Sequence, residues 1–237
     1  MPEDAHASVT ADSPAGRRPA GRVTQLLDEA YGRPQLAPRL PPVDELIYTV
    51  LSQNTADVNT DRSFAALRER FPTWEALRDA PIDEITAAIA RGGLAATKAP
   101  RIKAILAALS SRSGRPDLDA LDEMTDEQAQ NYLRSLPGVG PKTAACVLLF
   151  SLGRPVMPVD THVHRVARRL GLTDRRLTAE QAHPVLTQLA GPDPRDIYAL
   201  HVDLVRHGRR ICHARRPACE RCPLAVVCPS AGRPDCW

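Results

Sequence analysis

LPGVGPKTAACVLLF, residues 136–150, decides the fold. Ahead of it, TDEQAQNYLRSL reads as a helix that opens on Thr125 with Gln128 three residues on, a capping-box pattern. Behind the Leu-Pro-Gly-Val-Gly turn, Pro141 takes the first position of a second helix, where its missing N–H is no loss. The stretch predicts a helix-hairpin-helix. Gly138 and Gly140 permit backbone angles closed to other residues and keep side chains out of a close approach. The amides of the turn, beside the positive end of the second helix, make a cradle for an anion, and a nucleic-acid phosphate fits it. Such a contact carries no base-sequence information. For GVG alone, a plain corner between two helices with glycine caps is the competing reading.

Directly behind the glycines stands Lys142. The chain holds 28 arginines and only three lysines, so Arg is its ordinary cation. A guanidinium stays protonated at any workable pH and is no nucleophile. An amine that loses its proton attacks carbon. Lys142 therefore reads either as a nucleophile or as a phosphate-binding cation.

At 237 residues, 43% hydrophobic and 25% charged, the chain is of ordinary globular composition, with room for one large domain or two modest ones. Abundant Ala, Leu and Arg, few aromatic residues and no strand-like alternation predict an all-α fold of about ten short helices. No apolar run is long enough to span a membrane, and the first residues carry no signal-peptide core, which predicts a cytoplasmic protein. In that compartment six cysteines point to metal binding or catalysis before disulfides. Net charge is only +3, but twelve arginines fall between Arg165 and Arg221. This basic third fits a polyanion, or else a solvated Arg-rich surface.

Residues 1–20 are rich in Pro, Ala and Ser without hydrophobic period and predict a disordered tail. Helices are expected from about Val23 to Tyr31, over 43–53, 57–71, 73–80, 81–93, 99–112 and 125–136, then behind the hairpin and near 160–170, 178–190 and 194–207. Thr178 with Gln181 repeats the capping pattern, and Asp193-Pro194 is a start signal. Cys212, Cys219, Cys222 and Cys228 have the spacing C-x6-C-x2-C-x5-C. Four soft thiolates within so short a segment suit iron–sulfur or zinc. Structural zinc more often uses two close Cys pairs, and only one is present. Cys146 lies on the apolar face behind the hairpin and reads as core, while Cys236 has no assigned role.

Taken together, LPGVGPKTAACVL, VDTHVHRVARRLGL at 159–172, VLSQNTADVN at 50–59, GLAATKAPRI at 93–102 and the four cysteines resemble the helix-hairpin-helix DNA glycosylases, and among them the endonuclease III group, over roughly residues 23–228. The resemblance implies a two-lobed fold with DNA in a cleft between the lobes. A cluster domain would comprise 21–40 and 155–237; a six-helix domain would span 41–154, with its hairpin at 126–152. It implies a base-excision-repair glycosylase and abasic-site lyase for oxidised pyrimidines, acting as a monomer on double-stranded DNA.

In that resemblance Lys142 matches the nucleophile and Asp160 the catalytic aspartate. Asp160 also precedes a helical run and fits an N-cap. A helix N-terminus disfavours the ammonium form that Lys142 must leave in order to attack. Asn54 and Leu94 match residues that fill the gap left by the extruded base, and Asp57 and His162 match positions lining the pocket. Leu94 would otherwise read as a core leucine. Asn54 is a departure, since the related enzymes carry Gln there, and the preceding Gln53 leaves the register of the pair open; the connector between Ala107 and Asp126 is another, being longer. The four cysteines match a [4Fe–4S] site that shapes a loop presenting Arg215 and Arg216 to DNA phosphates. Two rivals share parts of this pattern, a monofunctional mismatch glycosylase and a non-catalytic iron–sulfur DNA-binding protein. The Lys142/Asp160 pair separates both from the bifunctional reading.

Overall fold

The computed structural model describes residues 14–36 and 40–233. Eleven α-helices and no strand occupy them: α1 Pro14–Tyr31, α2 Pro42–Ser52, α3 Asp57–Arg70, α4 Trp74–Asp79, α5 Ile82–Ala88, α6 Ala95–Ser113, α7 Asp126–Arg134, α8 Pro141–Cys146, α9 Thr161–Arg169, α10 Ala179–Ala190 and α11 Pro194–Arg210. Of the expected tail 1–20, residues 1–13 lie outside the described residues, and α1 begins at Pro14. Most of these helices are too short to persist alone in water, so burial of their apolar faces holds them. Each fully buried Leu or Ile contributes roughly 1.5–3 kcal/mol.

The chain divides into two compact units, Ala37–Pro158 and Met1–Leu36 with Val159–Trp237. In the first, α2 lies against α3, α6 and α8. Its VDELIYTVLS run is buried on most sides, Glu45 and Thr49 included, because neighbours cover it. Leu46, Ile47, Val50 and Leu51 pack there with Ile102, Ile105 and Leu106 of α6 and Ala144 of α8, all buried. The α7 N-terminus carries the capping box: Gln128 N–H donates to Thr125 Oγ1 at 3.3 Å, and Thr125 N–H to Gln128 Oε1 at 3.0 Å. Helix α8 runs on as a π-helical stretch, Val147–Ser151. The connector to α7 starts where α6 ends, at Ser113. It is pinned by buried Leu118 and Leu121 and by Arg154, which donates to the carbonyls of Leu121 and Met124.

The second unit packs α1, α9, α10 and α11 around Leu27, Val163, Val166, Leu186, Leu200 and Leu204, all essentially inaccessible. Helix α10 opens with the Thr178/Gln181 box and α11 with Asp193 as N-cap and Pro194 at its first position. The chain then leaves α11 into the irregular segment 211–233 that carries the four cysteines.

Candidate functional site

In the unit Ala37–Pro158, the hairpin joins α7 to α8. Gly138 has φ +70° and Gly140 φ −95°. Only Gly138 therefore needs a glycine's conformational range, and the expectation that both glycines adopt forbidden angles is corrected at Gly140. A Cβ on Gly140 would meet no protein atom within 4 Å. Its bare backbone, as N-cap of α8, leaves the first amides of that helix uncovered. A Cβ on Gly138 would lie 2.4 Å from Arg101 Nε. Arg101 is held there by its bond to Gln53 Oε1 at 2.8 Å, and Gln53 Nε2 donates to Thr143 Oγ1 of α8 at 3.3 Å. Gln53 thus braces the hairpin from within, while Asn54 is exposed. Sequence alone left the register of Gln53 and Asn54 ambiguous, and it gave no role to Arg101.

Lys142 is the second residue of α8 and is half-buried. The other two lysines are committed to the fold. Lys98 Nζ donates to Leu51 O at 2.6 Å and Lys103 Nζ to Ala80 O at 2.5 Å. The Lys142 amine has no hydrogen bond or ion pair among the described residues.

Three non-glycine residues among those described take a positive φ: Asn54 (53°), Leu94 (55°) and Arg216 (51°). A left-handed conformation costs such a residue about 1–2 kcal/mol. All three are residues the sequence singled out as DNA contacts, and strain of this kind gathers at functional sites. The departure at residue 54 gains a physical reason, because Asn tolerates the left-handed region better than longer side chains do. Leu94 is not a core leucine; it is 55% exposed and caps α6. Asp57 begins α3 and is exposed.

In the second unit, Asp160 is the N-cap of α9, accepting from Val163 N–H at 2.7 Å. Its carboxylate is thereby fixed in direction. Two residues later His162 packs against α11, where a Cβ on Gly208 would lie 2.9 Å from His162 Cβ. Burial holds the His162 imidazole below its ordinary value, against the nearby Asp160 carboxylate, which acts to raise it. Arg165 donates to His162 Nδ1 (3.0 Å), Gly208 O (2.9 Å) and Cys212 O (2.9 Å). It therefore ties the first turn of α9 both to α11 and to the cysteine segment.

Cys212, Cys219, Cys222 and Cys228 are free thiols lining one pocket with Val166, Leu170, Ile211 and Leu224. Two nitrogens approach their sulfurs: Arg169 Nη1 donates to Cys212 Sγ at 3.2 Å, and the His207 ring Nε2 lies 3.5 Å from Cys222 Sγ. Arg169 also donates to the carbonyls of His213 (2.7 Å) and Ala214 (3.1 Å). Burial pushes the Cys222 thiol up to about 11 and raises that of Cys228, so a bound metal core must displace their protons. A single tetrahedral ion would draw four sulfurs to within about 3.8 Å of each other. Among the described residues no three His, Cys, Asp or Glu side chains stand together as ligands of one ion. Four thiols around an apolar pocket suit a wider inorganic core, with the Arg169 N–H directed at one of the sulfurs.

The expectation of a basic surface over the last third needs correction in part. Arg165 and Arg169 point inward as described, Arg195 is paired with Asp193, and Arg206 with Asp203 and Tyr31 O. Arg209, Arg210, Arg215, Arg216 and Arg221 are exposed. Cys146 is buried in the core, and Cys236 lies outside the described residues. No helix among the described residues is long and apolar enough to cross a membrane.

Residues 47–202 match the HhH-GPD superfamily base excision DNA repair protein family, and residues 212–228 the iron–sulfur binding domain of endonuclease III. An endonuclease III of Thermotoga maritima is 37% identical over 188 residues, 79% of this chain and 82% of its own length. A protein of Arabidopsis thaliana named as a DNA glycosylase is 36% identical over 189 residues; that is 80% of this chain but only 61% of the relative. The solved structure of a non-covalent endonuclease III–DNA complex superimposes with TM-score 0.76 at 25% identity, covering 91% of this chain and 96% of that one. That of a trapped endonuclease III–DNA covalent intermediate does so with TM-score 0.72 at 27% identity, covering 90% and 96%. The chain belongs to the HhH-GPD superfamily of base excision DNA repair proteins, built on the fold of the endonuclease III enzymes and carrying their iron–sulfur binding domain.

Proposed function

We propose that this protein removes oxidised pyrimidines from double-stranded DNA and then cuts the strand 3′ to the abasic site, with Lys142 as nucleophile. One observation carries the lyase assignment: of three lysines in an arginine-rich chain, two are spent on backbone carbonyls, and the third stands behind the hairpin with its amine uncommitted among the described residues. Similarity to an endonuclease III trapped as a DNA covalent intermediate supports it.

In the chemistry proposed, the neutral Lys142 amine attacks C1′ of the damaged nucleotide. The glycosidic bond breaks, and its electron pair leaves on the base, which takes up a proton. The sugar ring opens to a Schiff base between Nζ and C1′. Loss of a C2′ proton then expels the 3′ phosphate by β-elimination, and water releases the amine. Asp160, aimed by the Val163 amide, stabilises positive charge at C1′ and carries protons between these steps. The hairpin amides around Gly138 and Gly140 grip a phosphate, as do Arg215 and Arg216. Asn54 and Leu94 occupy the gap left by the flipped nucleotide, and Asp57 and His162 are each assigned to the recognition of that nucleotide.

Cys212, Cys219, Cys222 and Cys228 would hold a [4Fe–4S] cluster, which when bound supplies a fixed core that organises the segment between them. The protein would act as a monomer on DNA in the reducing interior of the cell, where thiols stay available to metal.

Duplexes carrying one thymine glycol, assayed separately for base release and for borohydride-trapped adduct, test this reading. The expected result is both, with the adduct lost in Lys142→Gln. Base release without adduct would identify a monofunctional glycosylase, and neither product a DNA-binding protein without catalysis.

A further inference from the structure

We propose that Lys98 is a positioning residue for base extrusion: its buried ammonium bolts the loop carrying Asn54 to the loop carrying Leu94. The inference rests on the reading of those two residues as gap fillers. Lys98 lies in the first turn of α6 and is 3% exposed. Among the described residues it has no carboxylate partner. Its Nζ donates to Leu51 O at 2.6 Å, in the last turn of α2, and to Thr55 Oγ1 at 2.5 Å. Thr55 Oγ1 in turn donates to Gly92 O at 2.8 Å. Lys98 N–H itself donates to Leu94 O at 2.9 Å. One continuous chain of hydrogen bonds thus runs from the residue after Asn54 to the segment leading into Leu94, with Lys98 joined to both.

Stability alone gives little reason for a lysine here. A buried cation without an anion is expensive, and an apolar side chain of similar length would fill the same space without that cost. Burial pushes this ammonium below the usual lysine range, so the fold works against it. What the amine provides, and a methionine would not, is directed bonding to two acceptors on a different element. Asn54 and Leu94 need that, because both are held left-handed and exposed. Residues in sparsely populated conformations persist only when their surroundings over-determine them. Close packing adds to the restraint: a Cβ on Gly92 would meet Ser63 Oγ at 2.5 Å, so the loop before Leu94 has no room to slide.

The test uses full-length, cluster-loaded protein and the variants Lys98→Met, Thr55→Val, Thr55→Ser and Leu94→Ala. Single-turnover base release is measured from a thymine glycol duplex. Borohydride trapping is measured on an abasic site in a single-stranded oligonucleotide, where no stack has to be refilled. Lys98→Met and Thr55→Val should each slow duplex base release at least tenfold. Single-strand trapping should stay within twofold, the double variant should be no worse than either single, and Thr55→Ser should match the parent. Equal losses on both substrates, or no loss on the duplex, would overturn the proposal. Should Lys98→Met fail to fold, Thr55→Val decides alone. An unimpaired Leu94→Ala overturns the gap-filling reading and this proposal with it; impaired Leu94→Ala beside unimpaired Thr55→Val overturns this proposal only.

Discussion

Replacing Gly138 by Ala strikes the hairpin at its tightest point. The residue sits at φ +70°, where an L side chain costs about 1–2 kcal/mol. The new methyl would also lie 2.4 Å from Arg101 Nε and 2.5 Å from its Cδ, so the guanidinium must move. Moving it breaks the 2.8 Å bond to Gln53, a charged donor on a neutral acceptor worth about 1.5–3 kcal/mol. Alanine returns about 0.4–1 kcal/mol by narrowing the unfolded ensemble. The balance is a loss of about 2–4 kcal/mol, or very roughly 4–16 °C in Tm for a chain of this size. Thermal and urea unfolding of the cluster-loaded protein would read it. A double-mutant cycle with Arg101→Ala separates the contributions, since without the guanidinium only the backbone strain less the unfolded-state return remains, and the cost of Gly138→Ala should fall to about 0–1.6 kcal/mol. Were Gly138→Ala to change stability by under about 0.5 kcal/mol, or its cost to be the same with and without Arg101, the reasoning from turn geometry would be wrong.

Leu94→Ala removes an exposed side chain, so unfolding free energy should move by less than about 0.5 kcal/mol while base release from duplex DNA falls, checked by denaturation beside a single-turnover assay. Arg169→Gln strips two carbonyls and a cysteine sulfur of their buried donor; a destabilisation of about 1–3 kcal/mol is expected, with faster bleaching of the cluster's visible absorbance under a chelator. Asp203 is buried, and burial, helped by Asp28 and opposed by Arg206 and Arg33, raises its carboxyl to about 6. A raised carboxyl contributes stability that is fully present below about pH 4 and lost as pH climbs through about 6. Asp203→Asn does not titrate, so its stability relative to the parent should improve between pH 4 and 7 by up to about 3 kcal/mol, measured by urea unfolding across that range.

What the sequence made legible was local. The Thr125/Gln128 and Thr178/Gln181 boxes, the Asp160 cap and the Pro141 and Pro194 starts are each settled within one helical turn, and the structure has them all. The four cysteines were readable for the same reason, lying within one short segment. What escaped depends on elements distant in sequence. Helix α6 begins at Ala95, ahead of the expected Ala99, because Pro100 is accommodated inside the helix rather than near its start. The burial of Lys98 is decided by α2, 47 residues away. The left-handed turn at Leu94 is invisible in a residue type that rarely adopts it. Arg165 and Arg169 looked like surface charge in an arginine-rich stretch, and only packing against the cysteine segment shows them as internal braces. One signal was available: the scarcity of lysine that singled out Lys142 applies equally to Lys98 and Lys103.

That scarcity makes the decisive measurement simple. Borohydride-reduced protein–DNA adduct, digested and sequenced by mass spectrometry, has only three lysine side chains at which the sugar can be found. The modification should map to Lys142 alone. Attachment at Lys98, at Lys103 or at the amino terminus, with Lys142 unmodified, would contradict the assignment of the hairpin lysine as the group that bonds to C1′.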